Sequence, residues 1–282
     1  LVEAVTEDGF ILDGIFIEPK HVHKPSSSID AFLLVHGTYG NFYNAGLIRL
    51  ATYIKKSGFP VASFNTRAHD VISRCSKIDS SQIHGTAFEN LDDCVKDLAA
   101  SIGWLTDKGY KSIALLGLSM GAVKVIYYQS SLHNNRVKAV IAVSPVRLSK
   151  SFYLASEAAA YYEIYLNQAT LMAQAGKPEG LINIEDEIVP GQGIFGAEAY
   201  LDKYGSEKYN IVNYAHKIKD PILLMSGTLE THPRLIDCTK DTYNTFTEDN
   251  QGELITVEGG DHSLQNIEDE LPRLIIDWIS RI

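Results

Sequence analysis

The segment Gly117-Leu118-Ser119-Met120-Gly121 holds a serine between two glycines, in the spacing of a G-x-S-x-G motif. An apolar run at residues 112–116 precedes it and predicts a buried strand, and residues 120–131 predict a helix. Ser119 would therefore lie on a sharp turn between strand and helix, where glycines permit backbone strain and close packing. Such a serine is a candidate nucleophile. The alternative is a structural turn in which Ser119 only caps the helix.

A serine hydroxyl is a weak nucleophile at neutral pH, so it needs a base that a third group holds in place. Of the nine histidines, His262 lies in a glycine-rich loop directly after the last predicted strand, residues 253–257. Side chains that follow parallel strands meet at the carboxyl edge of the sheet. We therefore predict that His262 is the base, and the alternative is a solvated loop histidine.

The predicted orienting acid is Glu230, which follows the strand predicted at residues 221–225. Asp237, inside the helix predicted for residues 233–243, and Asp261, next to His262, remain alternatives.

For the oxyanion, the backbone N–H of Met120 at the helix start is one predicted donor. A second would come from Thr38 or Tyr39, in the glycine-containing turn at residues 36–41.

The elements that must position these residues alternate along the chain. Residues 1–6 and 10–17 flank Glu7-Asp8-Gly9 and predict a hairpin, and a polar connector follows at residues 21–28. Strands are predicted at residues 31–35, 60–64, 112–116, 139–143, 221–225 and 253–257, and helices at 45–56, 88–105, 120–131, 233–243 and 267–282. Apolar strands that alternate with helices predict an α/β fold with a mostly parallel sheet covered on both faces.

This alternation breaks between residues 147 and 220, which predicts an insertion. The core would comprise residues 1–146 and 221–282. The insertion is rich in tyrosine and phenylalanine, and an aromatic surface suits an apolar or aromatic substrate. We expect Tyr39, Tyr153 and Tyr162 to contact that substrate. The alternative is that the rings form the insertion's own core or a homodimer contact.

Bulk composition excludes several classes of protein. The formal net charge of −10 argues against nucleic acid as a partner, because phosphate binding needs a basic face. Three widely spaced cysteines indicate neither a disulfide framework nor a zinc site, and no stretch is long and apolar enough for a membrane span. We expect a cytoplasmic protein without cofactor or metal. The chain does not begin with Met, so a removed leader stays open.

Arg67, His69 and Asp70 form a second polar group. Their spacing is not that of a metal site, so we favour a hydrogen-bonded structural turn over metal or substrate binding.

Together these motifs resemble the α/β-hydrolase superfamily over nearly the whole chain. The resemblance rests on His36-Gly37, the segment from Gly117 to Gly121, Glu230 and Gly260-Asp261-His262, in the family's order of serine, acid and histidine. Residues 64–70 are similar to the family's arginine-glycine-histidine loop, with Ala68 in place of the glycine, and together with residues 40–44 they resemble an esterase-like branch. Glu230 stands where aspartate is more usual. The resemblance implies an α/β-hydrolase fold whose insertion is a helical cap (lid) that selects the substrate.

The leading hypothesis is a serine hydrolase that cleaves a small-molecule carboxylic ester or thioester through an acyl-enzyme. A second is an acyltransferase or cyclising thioesterase that uses the same three residues. A third is a ligand-binding protein without catalysis, because a fold does not fix a function.

Overall fold

A computed structural model describes residues 1–20, 28–232, 234–235, 237–267 and 269–282. Its strands are β1 Val2–Val5, β2 Ile11–Ile17, β3 Ala31–Val35, β4 Val61–Phe64, β5 Ser73–Ser76, β6 Ser81–His84, β7 Ile113–Leu118, β8 Val137–Val143, β9 Leu181–Ile184, β10 Gly193–Gly196, β11 Ile222–Gly227 and β12 Gly252–Val257. Its α-helices are α1 Ala45–Lys56, α2 Cys94–Asp107, α3 Met120–Leu132, α4 Lys150–Leu154, α5 Ala159–Gln174, α6 Ala197–Tyr204, α7 Cys238–Tyr243 and α8 Glu270–Ile279. Short 3-10 turns complete the described part at Thr86–Phe88, Leu91–Asp93, Ile211–Asn213, Ala215–Lys217 and His262–Ile267.

In the described residues, eight strands form one sheet in the order β1-β2-β4-β3-β7-β8-β11-β12. β1 with β2 and β2 with β4 are antiparallel, and the remaining pairs are parallel. The predicted amino-terminal hairpin and the mostly parallel sheet are confirmed. Because β3, β7, β8, β11 and β12 run in one direction, the residues that follow them lie along the same edge of the sheet.

Helices cover both faces of this sheet, as the apolar strands predict. Leu47 of α1 and Trp278 of α8 are buried in one core cluster with alternate residues of the central strands. Leu98 of α2 and Val123 of α3 belong to the cluster on the opposite face. The strands carry apolar side chains on both faces of the sheet, because helices cover each face. Within the described ranges, no helix combines the length and the apolar character that crossing a bilayer requires.

Residues between β8 and β11 build a separate layer from α4, α5, α6 and the β9–β10 hairpin. A fully buried ion cluster joins this layer to the sheet core. Lys203 of α6 lies 2.9 Å from Glu89 Oε2, and Lys124 of α3 lies 2.6 Å from Glu89 Oε1. Burial raises the pKa of Glu89, but the two ammonium groups outweigh it and lower that pKa to about 2. Glu89 is therefore an anion that holds the two layers together.

Several element boundaries differ from the sequence prediction. The helix predicted from residue 88 begins at Cys94, because Asn90 accepts from the Asp92 N–H and caps a 3-10 turn over Leu91–Asp93. The helix predicted from residue 233 begins at Cys238; Pro233 and Ile236 lie outside the described residues, as do residues 21–27 of the polar connector. The β5–β6 and β9–β10 hairpins were not predicted. Their strands are only four residues long, which is too short for an apolar–polar alternation to stand out in the sequence.

Candidate active site

Ser119 lies between β7 and α3 in a backbone conformation that few non-glycine residues adopt, with φ 57° and ψ −120°. Its N–H donates to Val143 O at 2.9 Å, which fixes the turn to β8. The flanking glycines allow the helix to approach the sheet. A Cβ on Gly117 would lie 2.1 Å from Gly121 O, and one on Gly121 would lie 2.3 Å from Val35 O. The motif's glycines are therefore required by close backbone contact.

His262 follows β12 and reaches Ser119 across the sheet edge, with 2.9 Å between His262 Nε2 and Ser119 Oγ. The next two residues, Ser263 and Leu264, have φ of 62° and 56°, so the loop turns back sharply after the histidine. A proton on Nδ1 would leave Nε2 free to accept the Ser119 hydroxyl proton. This is the arrangement that a general base requires.

Glu230 follows β11, and its side chain is only 4% exposed. Its Oε2 lies 3.6 Å from His262 Nδ1. This is ion-pair distance, slightly longer than a hydrogen bond, and catalytic hydrogen bonds commonly shorten in the substrate complex. The other oxygen, Oε1, accepts from the Gly227 N–H at 2.9 Å and from the Ser144 hydroxyl at 2.5 Å. Hydrogen bonds to Oε1 thus hold the Glu230 carboxylate in place, and Oε2 faces His262.

The two alternative acids lie elsewhere. Asp261 accepts from the backbone N–H groups of Gln265 and Asn266 at 2.7 and 3.1 Å, so it closes its own loop. Asp237 precedes α7 with φ 55°. Among the described residues, Glu230 is the carboxylate within 4 Å of His262.

The two predicted oxyanion donors both lie beside Ser119. Met120 is the first residue of α3, where a backbone N–H has no partner within the helix. Thr38 lines the same cavity as Ser119. Tyr39, the other candidate in that turn, donates its N–H to Thr86 Oγ1 at 3.1 Å. The structure thus favours Thr38 over Tyr39.

The His36 side chain holds the turn at residues 36–41 in place. Its Nδ1 lies 3.0 Å from Gly37 O, and its Nε2 accepts from the Thr66 N–H at 3.0 Å. Burial, with the nearby charge of Lys124, lowers the pKa of His36 to about 3. His36 is therefore a neutral, structural histidine whose two ring nitrogens are both used.

A cavity of about 300 Å³ opens above Ser119. Tyr39 lines it, as do Gln192 of the insertion, Gln265 and Arg234. Tyr39 donates from its hydroxyl to Gln192 O at 2.7 Å, so the insertion contacts the core at the cavity wall.

The prediction that Tyr153 and Tyr162 contact the substrate is wrong, since neither lines this cavity. Both rings have no exposed surface and pack together at 5.4 Å between centroids. Tyr153 donates to Arg147 O at 3.1 Å, and Tyr162 donates to Tyr204 O. These rings form the insertion's own core. A stretch of only about 74 residues, from 147 to 220, must bury aromatic area of its own to be stable.

Arg67 and its neighbours form the structural turn that we favoured. Arg67 is buried and contacts Asp8 and Asp97, both at 2.8 Å, and His69 Nδ1 lies 2.8 Å from Asp70 Oδ2. Within the described part of the chain, no three His, Cys, Asp or Glu side chains are grouped so as to hold a metal ion.

Sequence reasoning missed two residues. Ser144 directly follows β8, and its position at the carboxyl edge was the available signal. Arg234 lies four residues after Glu230, and nothing in the sequence distinguishes it from a surface arginine.

The fold agrees with the comparisons with known proteins. A model of the α/β-hydrolase fold matches residues 30–184, more than half of the 282 residues. The chain belongs to the α/β-hydrolase family.

Solved structures similar to nearly the whole chain include Est1E from Butyrivibrio proteoclasticus with ferulic acid bound, at 16% identity and TM-score 0.65, with 99% of this chain and 100% of that chain covered. The esterase Pf2001 from Pyrococcus furiosus is 20% identical with TM-score 0.63, with 99% of this chain and 89% of that chain covered. A monoacylglycerol lipase from Paleococcus ferrophilus is 15% identical with TM-score 0.68, covering 96% and 98%. At these identities the likeness shows the shared fold. None of the curated proteins compared by sequence matches the chain.

Proposed function

We propose that this protein is a serine hydrolase that cleaves a carboxylic ester or thioester of a small molecule through an acyl-enzyme. The observation that carries the proposal is the line of contacts from Ser119 Oγ to His262 Nε2, at 2.9 Å, and from His262 Nδ1 to Glu230 Oε2, at 3.6 Å. The printed names of two similar structures, an esterase and a monoacylglycerol lipase, support the ester as the bond attacked.

In this mechanism Ser119 Oγ attacks the carbonyl carbon while His262 Nε2 takes the hydroxyl proton. Glu230 stabilises the imidazolium that forms. The N–H groups of Met120 and Thr38 donate to the oxyanion, and loss of one such donor typically costs about 10²- to 10³-fold in rate. His262 then returns its proton to the departing alcohol or thiol. Water, deprotonated by His262, attacks the acyl-enzyme and releases the free acid.

Residues 147–220 are proposed as a cap on a core of residues 1–146 and 221–282. Gln192 lines the cavity, and its carbonyl accepts from the Tyr39 hydroxyl. The buried contact between Lys203 and Glu89 favours a cap that stays in place rather than one that swings open. The burial of Tyr153 and Tyr162 removes the basis for expecting an aromatic-lined acyl pocket.

The cytoplasm remains the proposed location. All three cysteines are buried free thiols, which a reducing compartment would maintain.

A fluorophosphonate probe tests the nucleophile. We expect the wild type to be labelled and Ser119→Ala to be unlabelled. Ser130→Ala is the matched control, because this buried serine lies on α3 and its hydroxyl donates to Tyr127 O, within the same helix. An unlabelled wild type, or a labelled Ser119→Ala variant, contradicts the mechanism.

The acyltransferase alternative shares the first half of the mechanism and differs in what attacks the acyl-enzyme. Products formed with an added alcohol acceptor separate the two reactions, since hydrolysis yields the free acid and transfer yields a new ester. A protein that only binds ligands would give neither product.

A further inference from the structure

The cavity above Ser119 has a charge opposite to that of the chain. The protein carries a formal net charge of −10, yet among the described residues no aspartate or glutamate lines this cavity. Its one lysine or arginine, within those residues, is Arg234. His36, which also lines it, is neutral because burial lowers its pKa to about 3. The cavity therefore presents a fixed positive charge close to the candidate nucleophile.

The backbone of Arg234 is held by two hydrogen bonds. Its N–H donates to His232 Nδ1 at 3.1 Å, and its carbonyl accepts from the Arg147 N–H at 2.7 Å. The side chain is half-buried, and its charge acts on Tyr39, another residue of the cavity wall. Arg234 is thus a fixed part of this wall.

The guanidinium of Arg234 has no ion-pair partner in the described part of the protein. Its Nε is buried without a hydrogen-bond partner, and no described carboxylate lies within 4.0 Å of it. The other buried arginines are paired, Arg67 with Asp8 and Asp97, and Arg147 with Asp241. A buried N–H without a hydrogen-bond partner is costly, and a bound anion would satisfy it.

We propose that Arg234 binds an anionic group of the substrate, a carboxylate or a phosphate, on the acyl or alcohol part of a small ester or thioester. A guanidinium matches both anions with two parallel hydrogen bonds. The cavity volume of about 300 Å³ suits a small molecule. Gln192 and Gln265 add neutral polar groups around the same space. The inference rests on the proposed hydrolase function and adds the charge of its substrate.

The test compares 4-nitrophenyl esters that differ in one terminal group. The first ends in a carboxylate (4-nitrophenyl hydrogen adipate), the second is its neutral methyl ester, and the third carries a terminal phosphate monoester. We expect the wild type to have at least about a tenfold higher kcat/KM for one of the anionic esters than for the neutral one. In Arg234→Gln this ratio should fall by about 10- to 100-fold, as expected for loss of a charge-assisted hydrogen bond. The anionic ester with the higher kcat/KM shows whether Arg234 prefers a carboxylate or a phosphate.

Arg234→Lys keeps the charge without the planar fork, so its ratio should lie between those of the wild type and Arg234→Gln. Arg273→Gln is the matched control, because Arg273 is exposed on α8 beside Glu270 and Asp277, and its ratio should equal the wild-type value. Equal kcat/KM for anionic and neutral esters in the wild type would overturn the proposal. An unchanged ratio in Arg234→Gln would overturn it too.

A binding measurement separates this proposal from the hydrolase function. Calorimetry of Ser119→Ala with monomethyl adipate and with methyl phosphate should show binding that Ser119→Ala/Arg234→Gln loses by at least about tenfold. If that binding is present but no ester is cleaved and no probe labels Ser119, the hydrolase function fails and the anion site stands. If esters are cleaved but neither anion binds, the anion site fails and the hydrolase function stands.

Discussion

The hydroxyl of Ser144 donates to Glu230 Oε1 at 2.5 Å, and Ser144 Oγ itself accepts from the Ser263 N–H at 2.9 Å. One side chain thus connects the ends of three neighbouring strands, β8, β11 and β12. Ser144 has a left-handed backbone with φ 52°, and its own N–H donates to Met225 O at 2.8 Å. Ser144 does not line the cavity in the described structure, so it acts on the site by positioning Glu230 and the histidine loop.

Ser144→Gly removes this hydroxyl without adding backbone strain, since glycine accepts a positive φ. We expect kcat/KM to fall by about 10- to 100-fold, mainly in kcat, because a buried hydrogen bond to a charged group is lost. Steady-state kinetics with a 4-nitrophenyl ester measures it. The control is His133→Gly, which makes the same change at the exposed left-handed residue after α3, φ 47°, and should keep wild-type kinetics. A fall confined to KM would contradict a positioning role.

Substitution of each candidate acid by its amide distinguishes Glu230 from Asp237. Glu230→Gln should lower kcat by about 10³- to 10⁴-fold, because the amide neither stabilises the imidazolium nor fixes the required tautomer. Asp237→Asn should stay within about twofold of the wild type, as expected for a surface change away from the site. Stopped-time assays with a sensitive fluorogenic ester reach the necessary range. The reverse pattern would assign the role to Asp237.

Substitution by alanine should destabilise the protein at a glycine of the G-x-S-x-G motif, but not at a glycine with free space around it. Gly121→Ala places a Cβ 2.3 Å from Val35 O, so we expect loss of activity and a free energy of unfolding lower by about 3 kcal/mol. Gly103→Ala in α2 meets nothing within 4 Å and should raise that free energy by about 0.5–1 kcal/mol. Urea unfolding of both variants beside the wild type measures these changes. Equal effects at the two positions would refute the close-contact argument.

His36 predicts a pH dependence of stability. Its pKa falls from 6.5 to about 3 in the folded protein, so between these values the unfolded chain binds a proton that the folded protein does not. Stability should therefore fall as pH falls from about 6.5, by up to about 1.4 kcal/mol per pH unit from this residue. Urea unfolding at pH 6.5, 5.5 and 4.5 should give a steeper decline for the wild type than for His36→Gln. Parallel declines would show that His36 titrates alike in both states.

Much of the fold follows from local properties of the sequence. The apolar runs of β3, β7, β8 and β11 predict buried strands, because a strand covered on both faces has no polar side. The spacing of apolar residues gives α1 its observed bounds, Ala45–Lys56. The parallel order of strands also brings Ser119, Glu230 and His262 to one edge, since each follows the carboxyl end of a strand.

Only the tertiary structure decided where side chains go once the elements pack. The sequence could not distinguish Tyr153 and Tyr162 from cavity residues, because aromatic side chains serve a core and a pocket equally well. It could not choose between Glu230 and Asp237 either, since a distance across strands depends on loop conformation. Ser144 contacts Glu230, which is far along the chain, and the Nε of Arg234 is buried without a hydrogen-bond partner among the described residues. Neither property can be read from the sequence. The sequence by itself determined the fold and the nucleophile's turn, whereas packing decided which side chains surround the cavity.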